Sequence, residues 1–225
     1  TLASLLSELD DSLSLMMVER LPTFAAESTD AWNNAGTGHA GYCELNYTPL
    51  NADGSIHINR ALTIHASFEV SLQFWSYLVE NGSLPAPKNF INPTPHLSFV
   101  WGEEDVKFLR KRYELLKSHH LFQDMEFSDD VATLETWMPL IMQSRDKSQK
   151  VAATRIQYGS DVDFGALTRN FVAKLQTKDN FNLKLDTEVK SLKKLSNGRW
   201  QVGLKDIKTK KVQIINAGFV FLGAG

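Results

Sequence analysis

A short apolar strand that ends in an acid and leads into a glycine-containing loop constrains this chain more than any other feature. The apolar residues of the strand are Leu13, Leu15, Met16, Met17 and Val18. A charge-bounded run of this length is too short for a free-standing helix and predicts a buried strand. Glu19 follows at its end. An acid at the carboxyl end of a parallel strand can accept hydrogen bonds from both hydroxyls of an adenosine ribose.

The loop tip from Asn33 to His39 reads NNAGTGH and carries little side-chain bulk. Backbone amides in such a loop can approach a phosphate or a planar ring closely. Ahead of the strand, Leu2, Leu5, Leu6 and Leu9 have the spacing of one helix face. A helix followed by a strand ending in Glu resembles the second half of a βαβ unit. We therefore expect a preceding strand and Gly-rich turn ahead of Thr1, in a longer protein.

Composition narrows the functional classes. The 225 residues are 43% hydrophobic, with net charge −2 and a pI near 6.3. They can bury a sizeable core but provide no basic field for nucleic acid, so no nucleic-acid partner is expected. No run approaches the roughly 20 apolar residues of a membrane span. The single cysteine, Cys43, excludes an internal disulfide, and no His, Cys or acidic residues have metal-ligand spacing, so no metal site is predicted.

Periodicity predicts a long helix from Asn59 to Asn81, then a strand over His96–Trp101. A second helix is predicted from Glu103 to His119, with Val106, Leu109, Tyr113 and Leu116 facing inward. Its basic residues are predicted to form a solvated face, with a binding patch as the alternative: Lys107, Arg110, Lys111 and Arg112.

The remaining elements alternate between helix and strand. The pattern predicts a short helix and turn over 129–142, a strand over 150–158 and a helix over 163–177. Beyond residue 183, alternation around the turn signal Asn197-Gly198 predicts a three-stranded meander. Phe219–Leu222 is predicted to be a buried parallel strand running into Gly223-Ala224-Gly225, beside a bound dinucleotide. A tight turn that needs glycine explains the last three residues equally well.

Several stretches together resemble one family. They are MVERL, WNNAGTGHAGYCELNYTP, FINPTPHLSFVWGEEDVKFLR, QKVAATRIQYGSDVDFGALTR and FVFLGAG. Along essentially its whole length the sequence resembles the malate:quinone oxidoreductases, flavoproteins of the large FAD-dependent group that includes D-amino-acid oxidase-like and 2-hydroxyglutarate-oxidising enzymes.

The resemblance implies an α/β (α+β) fold. It would hold a Rossmann-like FAD-binding domain lacking its first strand and Gly-rich loop, a β-meander, and part of an antiparallel-sheet substrate domain. Residues 1–50 would belong to the FAD-binding part, residues 51–165 to the substrate domain, and residues 166–225 to the FAD-binding part again.

The resemblance also assigns the cofactor residues. Glu19, with Arg20 beside it, resembles the ribose-binding acid; the alternative is a solvated strand end. The backbone of Val189 would contact the adenine, unless Val189 is a core residue. The segment expected along the pyrophosphate and flavin ring comprises Ser28, Asn33, Asn34, Ala35, Gly36, Thr37 and Gly38, and its alternative is a turn that merely needs glycines. The second phosphate-side turn would comprise Gly223, Ala224 and Gly225.

Flavin oxidation of a 2-hydroxy acid needs a base for the hydroxyl proton and a cation for the carboxylates. His39 and His96 lie in the family-specific strings, and each is a candidate base or a structural histidine. Arg155 is a candidate carboxylate clamp, because a guanidinium fork matches a dicarboxylate, or else a member of a surface pair.

The activity implied is oxidation of (S)-malate to oxaloacetate in the tricarboxylic acid cycle of a bacterium, with electrons passed to membrane quinone. The enzyme would sit peripherally on the cytoplasmic face of the inner membrane. Alternatives are an FAD enzyme for another 2-hydroxy acid, such as 2-hydroxyglutarate, or an inert folded scaffold. Because the pyrophosphate loop is expected outside the chain, we expect these 225 residues alone to be inactive and not to retain FAD.

Overall fold

The computed structural model describes residues 1–223, which separate into two compact units. The first comprises Thr1–Ala35, Ser83–Pro85 and the segment from Asp163 onward, and the second comprises Gly36–Gly82 and Ala86–Val162. Helices and strands are mixed, which confirms the predicted fold class. The units change at Gly36 and Asp163, whereas the sequence placed its boundaries after residues 50 and 165. Assignment of the units to FAD binding and substrate binding stays a prediction.

The helices and strands of the described residues follow in chain order. They are α1 (Leu2–Leu9), β1 (Leu15–Val18), α2 (Asn59–Glu80), β2 (Ile91–Pro93), β3 (His96–Trp101), α3 (Glu103–Lys117), β4 (Glu126–Ser128), α4 (Val131–Trp137), α5 (Pro139–Met142), β5 (Val151–Ile156), β6 (Ser160–Val162), α6 (Phe164–Leu175), β7 (Phe181–Lys184), β8 (Thr187–Lys194), β9 (Trp200–Asp206) and β10 (Val212–Ala217).

Two sheets lie in the first unit. Strand β1 pairs in parallel with β7, with Leu15 opposite Phe181. Strands β8, β9 and β10 form the predicted antiparallel meander. The turn between β8 and β9 contains Asn197 and Gly198, and Gly198 has φ +81°, a left-handed conformation that glycine adopts without strain. The sequence signal for this hairpin is confirmed.

Helix α1 forms as predicted, but its apolar face is not the buried one. Leu2, Leu5 and Leu9 are exposed while Ser4 and Ser7 are buried. Helix α1 contacts α6, and small serine side chains allow two helix backbones to approach each other closely. The leucine spacing therefore identified a helix without identifying the face that packs within this unit.

Two strand predictions in the first unit need correction. Strand β1 is only half-buried, with Met16 41% exposed, because β7 is the one described strand that pairs with it. Phe219–Leu222 does not form the predicted buried strand; Phe219, Phe221 and Leu222 are 63–71% exposed. An apolar run becomes a strand only where a neighbour accepts its backbone hydrogen bonds. No described strand pairs with this segment.

The second unit is built around the sheet β3–β5–β4, in which the central strand β5 is buried at most positions. Paired residues of antiparallel strands share a face. On one face, Val100 and Ala152 pack with Leu109 of α3. On the other face, Val151 and Ala153 pack with Leu134 of α4 and with residues around α5. A separate two-stranded sheet pairs β2 with β6.

Arg112 departs most sharply from its predicted environment. The sequence placed it on the solvated face of α3, but its side chain is 0% exposed. The guanidinium donates from Nε to the Thr48 hydroxyl at 2.8 Å and from Nη2 to the carbonyls of Gly41 and Tyr42 at 3.3 and 3.2 Å. Its neighbour Arg110 is exposed, as predicted, and pairs with Asp129. A buried arginine persists only when such acceptors replace water.

Candidate functional site

The acid at the end of β1 lies at the edge of its sheet. Glu19 is half-buried, and its Oε1 accepts the backbone N–H of Leu21 at 2.8 Å. Its backbone N–H donates to Lys184 at 2.8 Å, which extends the parallel pairing by one residue. The second carboxylate oxygen and the remaining lone pairs of Oε1 can accept hydroxyl protons. This position suits a ribose-binding acid.

The predicted adenine segment lies beside Glu19. The backbone N–H of Thr187, at the start of β8, donates to the Glu19 carbonyl at 3.0 Å. Val189, two residues on, is 41% exposed in this chain, and its contact with adenine stays a prediction. Arg20 is exposed and lies close enough to Glu188 to lower the pKa of that carboxyl, although the hydrogen bond from Lys190 contributes most to the shift. The structure thus brings together the residues predicted for the adenosine end.

Asparagine side chains fold the loop that follows β1. Asn33 Nδ2 donates to the Glu27 carbonyl at 3.1 Å, and Asn34 Nδ2 donates to the Ser28 carbonyl at 3.0 Å. Ser28 and Ala35 are exposed. The two asparagines therefore shape the loop backbone, a role compatible with cofactor contact but not evident from the sequence.

The glycine part of the loop packs on β6 within the second unit. Val162 N–H donates to the Gly36 carbonyl at 2.6 Å, and Gly38 N–H donates to the Ser160 carbonyl at 2.8 Å. A Cβ on Gly38 would lie 2.9 Å from that carbonyl oxygen, and one on Gly36 would lie 2.4 Å from Asp161 Oδ1. Thr37 forms an isolated antiparallel bridge with Asp161. Both glycines are thus required by the protein's own strand.

His96 belongs to the same hydrogen-bonded group. It is 7% exposed, and its Nε2 donates to the Ser160 carbonyl at 3.0 Å, the acceptor that Gly38 also uses. Its Nδ1 faces the Cys43 sulfur at 3.9 Å. Because the carbonyl can only accept, the Nε2 nitrogen carries a proton and Nδ1 is left as the acceptor.

The other two predicted catalytic residues, His39 and Arg155, have different surroundings. His39 follows Gly38 and is exposed. Arg155 lies on β5 opposite Leu97, so it projects from the face of the sheet opposite His96. There its guanidinium donates to Gln157 and lies 5.5 Å from the centre of the Trp137 ring. Arg155 therefore does not join His96 in one cluster.

The predicted second phosphate-side turn is only partly described. Gly223 is exposed, and a Cβ on it would meet only the Phe221 ring, at 3.2 Å. Ala224 and Gly225 lie outside the described residues. Their cofactor role stays a prediction.

Thiol reagents are expected to modify Cys43 slowly. Burial, followed by the neighbouring Glu44 carboxylate, raises the pKa of this thiol to about 11. Compared with a free cysteine, its thiolate fraction at slightly alkaline pH is lower by roughly two orders of magnitude. Release of a coloured thiol from a disulfide reagent, timed in native and in guanidinium-unfolded protein, measures this difference. Equal native and unfolded rates would contradict it.

Metal-binding groups and membrane-spanning helices are both absent from the described residues. Among residues 1–223 there is no group of three or more His, Cys, Asp or Glu side chains that could hold a metal ion. Over the same part of the chain, no helix combines the length and apolar character that crossing a bilayer requires.

The comparison with protein families decides the relationship. The family model described as malate:quinone oxidoreductase matches residues 1–225. The chain belongs to the malate:quinone oxidoreductase family. Probable malate:quinone oxidoreductases from Hahella chejuensis and Methylobacillus flagellatus are 66% and 59% identical to it over 225 residues, the whole of this chain. The chain spans 45% of the length of each relative.

Solved structures agree with this fold. An amino acid oxidase essential for nikkomycin biosynthesis has a TM-score of 0.58 at 15% identity, covering 100% of this chain and 48% of its own. L-alpha-glycerophosphate oxidase from Mycoplasma pneumoniae, solved with FAD bound, has a TM-score of 0.50 at 16% identity, covering 83% of this chain and 42% of its own. At these identities the similarity shows that this chain shares its fold with the matched parts of these oxidases.

Residues distant in sequence form the hydrogen bonds that hold the glycine loop and the segment after it. The Ser160 carbonyl accepts the Gly38 N–H, and the side chains of His65, Ser98 and Arg112 donate to carbonyls of residues 40–43. All four residues lie outside the stretch that contains the loop, so pairing across the fold was needed to find them.

Proposed function

We propose that the full-length protein oxidises (S)-malate to oxaloacetate with FAD and passes the electrons to a membrane quinone. The observation that carries this proposal is the family match over residues 1–225, supported by relatives at 66% and 59% identity that are named probable malate:quinone oxidoreductases. This chain spans 45% of those relatives, so the activity is proposed for the full-length protein.

The residues at the edge of the first unit fit the adenosine end of FAD. Glu19 offers carboxylate lone pairs to the ribose hydroxyls, and β8, which carries Val189, is bonded to the Glu19 carbonyl through Thr187. Bound FAD supplies the hydride acceptor for the hydroxyl-bearing carbon of malate. The FAD-bound oxidase of the same fold is consistent with this cofactor.

Among the three candidate catalytic residues, His39 has the environment expected of a base that reaches substrate. It is exposed and follows the glycine loop directly. The Nε2 proton of His96 is already engaged by the Ser160 carbonyl, so His96 supports the loop. Arg155 packs against the Trp137 ring. It remains the candidate for binding the malate carboxylates. In this scheme His39 accepts the proton of the malate hydroxyl.

The membrane quinone implies contact with a lipid surface. We propose that the full-length protein lies peripherally on the cytoplasmic face of the inner membrane, because the family match implies a quinone as electron acceptor. Binding of this kind comes from a surface patch and does not need a spanning segment.

Dye reduction by the full-length protein tests the substrate. With FAD present, malate is expected to reduce dichlorophenolindophenol, whereas lactate and 2-hydroxyglutarate are not. If 2-hydroxyglutarate reduces the dye and malate does not, the protein is an FAD enzyme for that other 2-hydroxy acid. A protein that is only a scaffold would show no flavin absorbance at about 450 nm and would take up no FAD on titration.

A further inference from the structure

The segment that follows the glycine loop, Ala40–Cys43, is held by its carbonyl oxygens. All four consecutive carbonyls accept hydrogen bonds from side chains of the second unit. The donors are His65 Nδ1 to Ala40 at 2.8 Å, Arg112 Nη2 to Gly41 and Tyr42 at 3.3 and 3.2 Å, and Ser98 Oγ to Cys43 at 2.8 Å. We call the three donors, His65, Arg112 and Ser98, the carbonyl clamp.

The clamp is built from three separate elements. His65 lies on α2, Ser98 on β3 and Arg112 on α3, and their exposures are 2%, 4% and 0%. The segment that they hold is irregular and partly buried, so its carbonyls lack the partners that a helix or sheet provides. Placing a guanidinium in a core to satisfy them is costly. A core of apolar side chains packed on regular backbone would avoid this cost.

Charge and protonation suit the donors to this role. Burial lowers the pKa of Arg112 to about 10, so the guanidinium remains charged near neutral pH. Burial also lowers the pKa of His65, against the opposing effects of the Ala40 hydrogen bond and Glu69; His119 and His120 lower it further. A neutral His65 with its proton on Nδ1 is the tautomer that donates to Ala40. Arg112 Nη1 is buried without a hydrogen-bond partner.

The other end of the glycine loop is anchored independently. Gly36 and Gly38 bond to β6 at 2.6 and 2.8 Å, and His96 bonds to the same Ser160 carbonyl as Gly38. His39 lies between this anchor and the clamp, and it is exposed. One residue that faces solvent is therefore held on both sides by buried hydrogen bonds.

We propose that the carbonyl clamp positions His39, with Arg112 as its principal positioning residue. The proposal rests on the proposed function, in which His39 acts on the hydroxyl proton of malate. A base that must meet a substrate proton within hydrogen-bond reach gains from a fixed backbone, because small displacements lower the rate of proton transfer. Arg112 acts through the Gly41 and Tyr42 carbonyls and touches no substrate.

Arg112→Met in the full-length protein tests the clamp, with Arg110→Met as the matched control. Arg110 is two residues earlier on α3, 48% exposed in its side chain, and pairs with Asp129. Hydrogen exchange is followed in peptides covering residues 36–43. Loss of charged hydrogen bonds is expected to accelerate exchange there about tenfold or more. Arg110→Met is expected to leave it unchanged, and Arg112→Lys to give an intermediate rate.

Kinetics provide the second readout. Arg112→Met is expected to lower kcat for malate by about tenfold or more with little change in KM, because the base is displaced while substrate contacts remain. Arg112→Lys is expected to restore part of kcat. A role in stability alone predicts a lower free energy of unfolding, with kcat and local exchange per folded molecule unchanged, and that result would overturn the proposal.

Ser98→Ala keeps the test decisive if Arg112→Met does not fold. It removes only the bond to the Cys43 carbonyl, and a smaller acceleration of exchange in residues 36–43 is expected. Unchanged exchange in Ser98→Ala, or equal acceleration in Arg110→Met, would reject the clamp. If the unmodified protein fails to oxidise malate while exchange still responds to Arg112→Met, the proposed function fails and the holding of the loop is supported.

Discussion

Glu19→Gln is expected to lower the affinity of the full-length protein for FAD by about 10- to 100-fold, the loss associated with charge-assisted hydrogen bonds. Glutamine keeps the side-chain length and can still accept the Leu21 N–H that Glu19 Oε1 accepts at 2.8 Å. The loop backbone should therefore remain in place while the charged acceptor for the ribose hydroxyls is lost. Quenching of flavin fluorescence, titrated into protein stripped of FAD, measures the change.

Glu188→Gln is the matched control for this substitution. Glu188 lies one residue beyond Thr187, the residue that bonds to Glu19, and its own carboxylate pairs with Lys190 at 3.1 Å. Removing this exposed charge changes the local field without removing the predicted ribose acceptor. Equal losses of FAD affinity in the two variants would mean that Glu19 acts only through net charge.

Gly159→Ala is expected to lower the free energy of unfolding by about 3 kcal/mol, at the upper end of what overpacking usually costs. An added Cβ would lie 2.2 Å from His96 Cδ2 and 2.5 Å from the Thr94 carbonyl oxygen. Neither neighbour can move without breaking a hydrogen bond, since Thr94 N–H bonds to Gly159 and His96 bonds to Ser160. Urea denaturation of the variant and the unmodified protein gives the difference.

Gly218→Ala provides the comparison for that measurement. Nothing lies within 4 Å of an ideal Cβ at Gly218, so the same chemical change meets no packed neighbour there. We expect a change below about 1 kcal/mol at this position. If Gly159→Ala is as stable as Gly218→Ala, the close packing of Gly159 on the His96 ring is wrong.

Long periodic segments were predictable from the sequence. Helix α2 begins and ends within a residue of its predicted bounds, and β5 lies inside the predicted 150–158 strand. The Asn197-Gly198 turn and its meander are also present. These elements carry their own signal, because side-chain period and turn residues are local properties.

Arg112 shows a signal that was present but misread. It lies three residues after Leu109 and four before Leu116, both of which are 0% exposed, so helical spacing places it on their face. The prediction followed the charge of Arg112 and placed the side chain in solvent. Helical position was the better guide here, because acceptors for the guanidinium come from residues 41–48, which no local pattern connects to α3.

Short pairings and partner-dependent strands could not be predicted. Strands β2 and β6 have three residues each, too few for a period to appear, yet β6 anchors the glycine loop. Phe219–Leu222 shows the opposite error, since its apolar run looks like a strand and has no described partner. Hydrogen-bond partners belong to the fold and not to the segment.

The discontinuity of the first unit has a consequence for synthesis on the ribosome. Strand β1 precedes the second unit and its partner β7, which begins at Phe181, follows that unit, so the two strands cannot pair until the second unit has been made. The second unit, by contrast, lies between them in nearly continuous sequence and can fold meanwhile, since its contacts close shorter loops. The pairing of β1 with β7 would then form around a second unit that is already folded.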